Sequence, residues 1–252
     1  MGELDESYVG WKEWDPAAFG KFSASDALYF AAETSIATCT TPARVLEIGF
    51  GNGAFLGWVR GMGVESFGIE TNPVLIRRAK DVLGPDHVFD ALDDRVVNQL
   101  RGTLTHVVAF DVIEHAPTEH LTALLRATGE LLAPQGKIVL RFPNGDSPFG
   151  RITQHGDPTH VTVMGQQKLA YLAHAAGLQV VEIRAPRLPL HGVGLLRGTK
   201  RLLLSAARSC FERGISLLYF AGRRVPFDPN YVAVLQRGSA SVISGERAAV
   251  SS

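Results

Sequence analysis

The stretch Ala43-Arg44-Val45-Leu46-Glu47-Ile48-Gly49-Phe50-Gly51-Asn52-Gly53 decides how the rest of the chain is read. Val45, Leu46 and Ile48 make a short apolar run of the kind a buried strand uses, and it breaks directly into glycines at alternate positions, Gly49, Gly51 and Gly53. Side chains there would hold a ligand off the backbone, and glycine reaches backbone angles closed to other residues. Apolar residues then recur at helical spacing from Ala54 to Arg60, so the turn is expected to open a helix whose amide end faces a ligand.

Two turn chemistries fit these glycines. Gly49-x-Gly51-x-x-Ala54 matches a dinucleotide fingerprint, while Glu47-x-Gly49-x-Gly51-x-Gly53 matches the acidic-Gly-x-Gly-x-Gly turn of S-adenosylmethionine (SAM) enzymes. Glu70, at the end of Ser66-Phe67-Gly68-Ile69, does not separate them, because either cofactor needs an acid there to accept from ribose hydroxyls.

The chain has 252 residues, 46% hydrophobic and 20% charged, which suits one α/β domain with additions. Its formal net charge is zero, so no global field announces a nucleic-acid partner. Cys39 and Cys210 lack metal-ligand or redox spacing and are expected as reduced, buried thiols, which fits a cytoplasmic location. The acidic opening Met1 to Glu6 has no apolar core segment, and no window supplies the roughly 20 apolar residues that span a bilayer.

Residues 1–42 read as an acidic, aromatic extension with a helix from Ser25 to Ala37; its aromatics are expected to pack on the domain, with a lid over the glycine turn as the other reading. From Val45 onward strand and helix patterns alternate, which argues a parallel sheet covered on both faces. Strands are expected near 44–49, 65–70, 87–90, 105–111, 136–142 and 178–184, and helices near 53–62, 73–83, 93–101, 118–132 and 165–176. A long polar loop runs from Asn144 to Met164.

The insertion 185–226 is basic. Within it Leu195, Leu196, Thr199, Leu202, Leu203, Ala206 and Cys210 share a helical stripe. Such a helix either packs on the domain with a solvated basic face or makes a peripheral membrane contact, here through 193–213. Tyr231 to Gln236 reads as a last strand and 238–252 as a disordered tail, leaving 43–237 as the domain.

With these pieces in order, the chain resembles the class I SAM-dependent methyltransferases. The resemblance rests on Val45 to Gly53, Gly68-Ile69-Glu70, Phe110-Asp111-Val112-Ile113-Glu114-His115 and Leu131-Leu132-Ala133-Pro134-Gln135-Gly136-Lys137. It implies a seven-stranded Rossmann-like sheet whose last strand runs antiparallel beside the fifth. It also implies that Gly49, Gly51 and Gly53 hold the methionine portion of SAM, with Glu47 near its amino group. Glu70 would take the ribose diol, Asp90 and Ala91 would meet the adenine edge, and Asp111 would sit beside the methionine end.

Methyl transfer to a hydroxyl needs alignment, exclusion of water and a group to take the proton. His115 resembles the histidine of the ubiquinone-biosynthesis type O-methyltransferases, in some of which the residues matching Asp111, Glu114 and His115 hold a divalent cation; no metal site is assigned here. His160, oriented by Asp157 in Gly156-Asp157-Pro158-Thr159-His160, is the preferred base, in a run that resembles loops of glycan-modifying methyltransferases. The expected activity is O-methylation of a sugar, lipid-linked or other small-molecule hydroxyl. The competing readings are a non-catalytic SAM-binding protein, an NAD(P)-dependent oxidoreductase and a nucleic-acid methyltransferase, the last disfavoured because no Asn/Asp-Pro-Pro-Tyr/Phe motif ends the fourth strand.

Overall fold

The computed structural model describes residues 6–39, 42–189, 195–222 and 225–238. In chain order the elements are α1 (Glu6–Trp11), α2 (Ala24–Thr34), β1 (Arg44–Ile48), α3 (Ala54–Gly61), β2 (Glu65–Ile69), α4 (Pro73–Leu83), β3 (Val88–Phe89), α5 (Asp94–Leu100) and β4 (Leu104–Phe110). They continue with α6 (Thr118–Leu131), β5 (Leu132–Pro143), α7 (Gly150–His155), α8 (Gln166–Ala175), β6 (Leu178–Arg184), α9 (Leu195–Tyr219) and β7 (Asn230–Arg237). The tail read as disordered lies, from residue 239 on, outside the described residues.

The strands form one seven-stranded sheet in the order β3-β2-β1-β4-β5-β7-β6. β1 to β5 pair in parallel, and β7 runs antiparallel between β5 and β6, with Val139 opposite Val234. The sheet is covered on both faces because alternate strand residues point oppositely. Leu46 and Val107 face a core shared with α5, α6 and α8, while Val45 and Val108 face Phe30, Phe55 and Trp58 of α2 and α3. Local chemistry fixes the helix starts. The Asn72 side chain accepts from the Val74 amide at 2.9 Å ahead of Pro73, and Ser23 with Asp26 closes a capping box on α2.

Two expectations are corrected here. Cys39 and Cys210 are exposed thiols, not buried ones, because the end of the short turn Ile36–Thr38 and the surface of α9 carry them rather than the sheet. The long loop carries a helix, α7, and is tied down by an Asn144–Met164 bridge. Among the described residues no helix is long and apolar enough to cross a membrane.

Candidate active site

The strand order reverses between β1 and β4, and open α/β sheets bind ligands outside the strand carboxyl ends at such a reversal. Gly49 leaves β1 there and Asp111 leaves β4. A cavity of about 310 Å³ runs along these ends, lined by Gly49, Gly51, Glu70, Asp90, Ala91 and Asp111, with Ile69, Leu92 and Leu124 supplying apolar walls. A larger cleft of about 780 Å³ adjoins it, and Glu47, Glu114, His115, Asp157 and His160 line that one. The two share Trp14, Gly49, Gly51, Asp111 and His115. Molecules bound in each would therefore meet beside His115.

Gly49 and Gly51 have φ of 68° and 51°, in the left-handed region, and a Cβ would fall 2.6 Å from Val112 Cγ2 at the first and 2.8 Å from the Trp14 ring at the second. Gly53 lines neither cavity. A Cβ there would fall 2.3 Å from the Phe19 ring, so its lack of a side chain seats the N-terminal segment rather than a ligand.

Glu70 braces the turn. Its Oε2 accepts from the Gly51 amide at 3.1 Å and its Oε1 from the Thr71 and Asn72 amides at 2.7 and 3.1 Å. A carboxylate has roughly four acceptor sites, so Oε2 keeps capacity for a ligand hydroxyl. Glu47 is buried with no hydrogen-bond partner on Oε2 among the described residues. Burial, and then the charge of Glu70, push its carboxyl well above the usual range. A cationic ligand group would complete it, and this orphaned acceptor beside a glycine cradle suits the ammonium end of SAM. Asp90, at the mouth of the smaller cavity, pairs with Arg95 at 3.3 Å.

Asp111 is held by Arg141. The Nε of Arg141 donates to Oδ1 at 2.9 Å, Nη2 makes a second contact to Oδ2, and the guanidinium carbon lies 5.4 and 5.1 Å from the Tyr29 and Phe110 ring centroids. Burial works against the Arg141 charge, but Asp111 outweighs it and holds the guanidinium above its ordinary range. Burial also pushes the Tyr29 hydroxyl up to about 12.

The expected orientation of His160 by Asp157 is corrected. His160 Nε2 is 3.9 Å from Asp157 Oδ2, beyond hydrogen-bond reach, and its Nδ1 faces the Gln154 carbonyl at 3.2 Å instead. Asp157 serves His115. Its Oδ2 accepts from Lys12 Nζ at 2.9 Å, its Oδ1 accepts from the Thr159 hydroxyl at 2.5 Å, and Thr159 Oγ1 lies 2.9 Å from His115 Nδ1. A hydroxyl that donates to a carboxylate offers its oxygen to the ring, so this chain assigns the proton to Nδ1 of His115 and leaves Nε2 with a lone pair. Burial favours a protonated Asp157, yet the bonds from Thr159 and Lys12 prevail and hold it well below the usual carboxylate range. Burial, and then the neighbouring His160, depress the pKa of His115.

The sequence of residues 23–183 matches the profile of a family described as "Methyltransferase domain". The chain belongs to that family. With its fold, the match makes it a class I SAM-dependent methyltransferase, which sets aside the dinucleotide reading of the glycine turn. A ubiquinone biosynthesis O-methyltransferase of Xanthomonas axonopodis pv. citri (strain 306) is 26% identical over 157 residues, which are 56% of this chain and 64% of that protein. The methyltransferase thus spans under two thirds of the curated relative it matches. Among solved structures, a SAM-dependent methyltransferase from Archaeoglobus fulgidus superposes with a TM-score of 0.60 at 19% identity, covering 92% of this chain and 100% of the other. The CcbJ methyltransferase from Streptomyces caelestis does so with 0.55 at 18%, covering 94% and 97%.

Within this methyltransferase, the carboxylate–histidine cluster differs from the one the motif implied. Ligand atoms of Glu114, His115 and His160 lie within 4.8 Å of one another, whereas Asp111 is taken up by Arg141 and stands apart from that trio. Glu114 is fully buried with no hydrogen-bond partner on either oxygen among the described residues. Burial, then the charge of Asp111, push its pKa up to about 8. Sequence reasoning did not assign Lys12, Arg141 or Thr159 to the site, and met Trp14 only through the lid reading of the N-terminal segment. Thr159 lay inside the quoted loop run, whereas Lys12 reaches Asp157 across 145 positions.

Proposed function

We propose that the protein transfers the methyl group of SAM to a hydroxyl oxygen of a small-molecule, sugar or lipid-linked acceptor, with His115 taking the hydroxyl proton. The observation that carries this reading is the place of His115 on the rim shared by both cavities, with Nδ1 engaged by Thr159. SAM when bound supplies an electrophilic methyl on a sulfonium. The chain's residues do the rest: Gly49 and Gly51 admit the donor, Glu47 balances its cationic end, Glu70 receives its ribose, and Asp111 borders the reacting end. Lys12, Asp157 and Thr159 hold the imidazole in one tautomer, so that it accepts a proton at Nε2. The curated relative is by its name an O-methyltransferase, which agrees with an oxygen acceptor.

Release of S-adenosylhomocysteine with catechols and monosaccharides as acceptors tests the reading. Turnover should fall roughly 100-fold in His115→Ala and far less in His160→Ala. Equal losses in the two variants would contradict the assignment. A divalent cation on Glu114, His115 and His160 would instead acidify the acceptor hydroxyl by polarising its oxygen. We expect turnover to survive chelation; a loss that added magnesium or zinc restores would put a cation in the role given to His115.

A further inference from the structure

Helix α9 is seated the wrong way round for a helix of a globular domain. Such a helix normally buries its apolar stripe. Here the side chains turned toward the body are mostly small or polar: Gly198, Arg201, Ser209, Glu212 and Ser216 are shielded at helical spacing, joined by a half-buried Ile215 and by Phe211, whose ring lies 6.1 Å from that of Phe227. They are engaged in that seat. Arg201 Nη1 donates to the Pro189 carbonyl at 2.6 Å, Glu212 Oε1 accepts from the Phe227 amide at 2.9 Å, and Ser216 is buried with Oγ accepting from Val225 at 3.4 Å.

The opposite face carries most of the apolar residues. Leu196, Leu203 and Leu217 are 88%, 67% and 72% exposed, and Leu202 and Leu218 lie beside them. The stripe read from the sequence is therefore the outward one, not the packed one. Lys200 and Arg213 are exposed on the same side, Arg208 is turned to a groove beside the helix and paired with Asp228 at 3.4 Å, and the helix's single acid, Glu212, faces inward. An apolar strip edged by cations with no exposed acid is matched in charge and polarity by an anionic lipid surface. A second copy is a poorer occupant, since a two-fold contact would set Lys200 and Arg213 against their own kind.

The site lies close to this face. A groove of about 390 Å³ beside α9 is walled by Phe149, Phe211 and Phe227, and it shares Ile152 and Thr153 with the active-site cleft. Apolar wall thus continues from the helix to the mouth of the cleft.

We propose that the outer face of α9 docks on an anionic lipid bilayer. The docking stands whether or not the cleft transfers methyl groups.

Flotation of the full chain with phosphatidylcholine vesicles, with and without phosphatidylglycerol, tests it. Binding is expected only to the anionic vesicles and to weaken with salt. Two variants, Leu203→Asp with Leu217→Asp and Lys200→Glu with Arg213→Glu, should each weaken binding at least tenfold. Both alter exposed side chains, so their thermal midpoints should match the unaltered protein. The proposal is overturned if the unaltered protein fails to bind anionic vesicles at low salt, or if neither variant changes binding. It is equally overturned if light scattering shows a dimer that the leucine variant dissolves, for then a second copy covers the strip.

Discussion

His115 is informative because its chemistry depends on a neighbour rather than on itself. Thr159→Val removes the hydroxyl that joins the ring to Asp157, so kcat should drop about tenfold with KM little changed, as steady-state kinetics would show. Because burial depresses the His115 pKa, the acidic limb of kcat/KM should fall below the ordinary histidine value of about 6.5. Glu114 makes a separate prediction. Its folded pKa, about 8, is raised above the unfolded value, so its contribution to stability is complete below about pH 4.3 and is lost as pH rises through 8. Denaturant titrations should find that Glu114→Gln loses less stability than the parent as pH rises from about 4.3 through 8, and is the more stable of the two above pH 8. Gly49, Gly51, Glu70 and Asp111 were legible because short contiguous motifs at strand ends place them. The role of Asp157 was not, since the sequence puts it three positions from His160 but only the folded loop turns it toward Thr159 and Lys12.

The glycine turn and its cover act together. Trp14 lies over Gly51 and lines both cavities, so the N-terminal segment covers the turn as well as packing through Phe19 and Phe30 on the domain. Gly51→Ala would strain a left-handed backbone by about 1–2 kcal/mol and press on the Trp14 ring. Calorimetry should find SAM affinity at least tenfold weaker while circular dichroism is unchanged. Strand and helix positions were readable because apolar alternation and helical spacing report burial directly. The seat of α9 was not readable in the same way. Periodicity reveals that a helix has an apolar face, but which face meets the body depends on the partners Pro189, Val225 and Phe227 offer, and those are polar backbone groups.

The seven-stranded sheet brings together residues that are far apart in sequence. Its reversal between β1 and β4 sets the smaller cavity against the larger cleft, and the N-terminal segment and the loop bearing α7 close around them. The family match and the fold establish the class; the proposed cofactor site rests on Glu47, Glu70 and the glycine turn. Titration calorimetry of the protein with SAM, S-adenosylhomocysteine and NADH, with Glu70→Ala alongside, tests that centre most directly. The account predicts that SAM and S-adenosylhomocysteine bind, that NADH does not, and that Glu70→Ala weakens both. Binding of NADH without a response to SAM would contradict it.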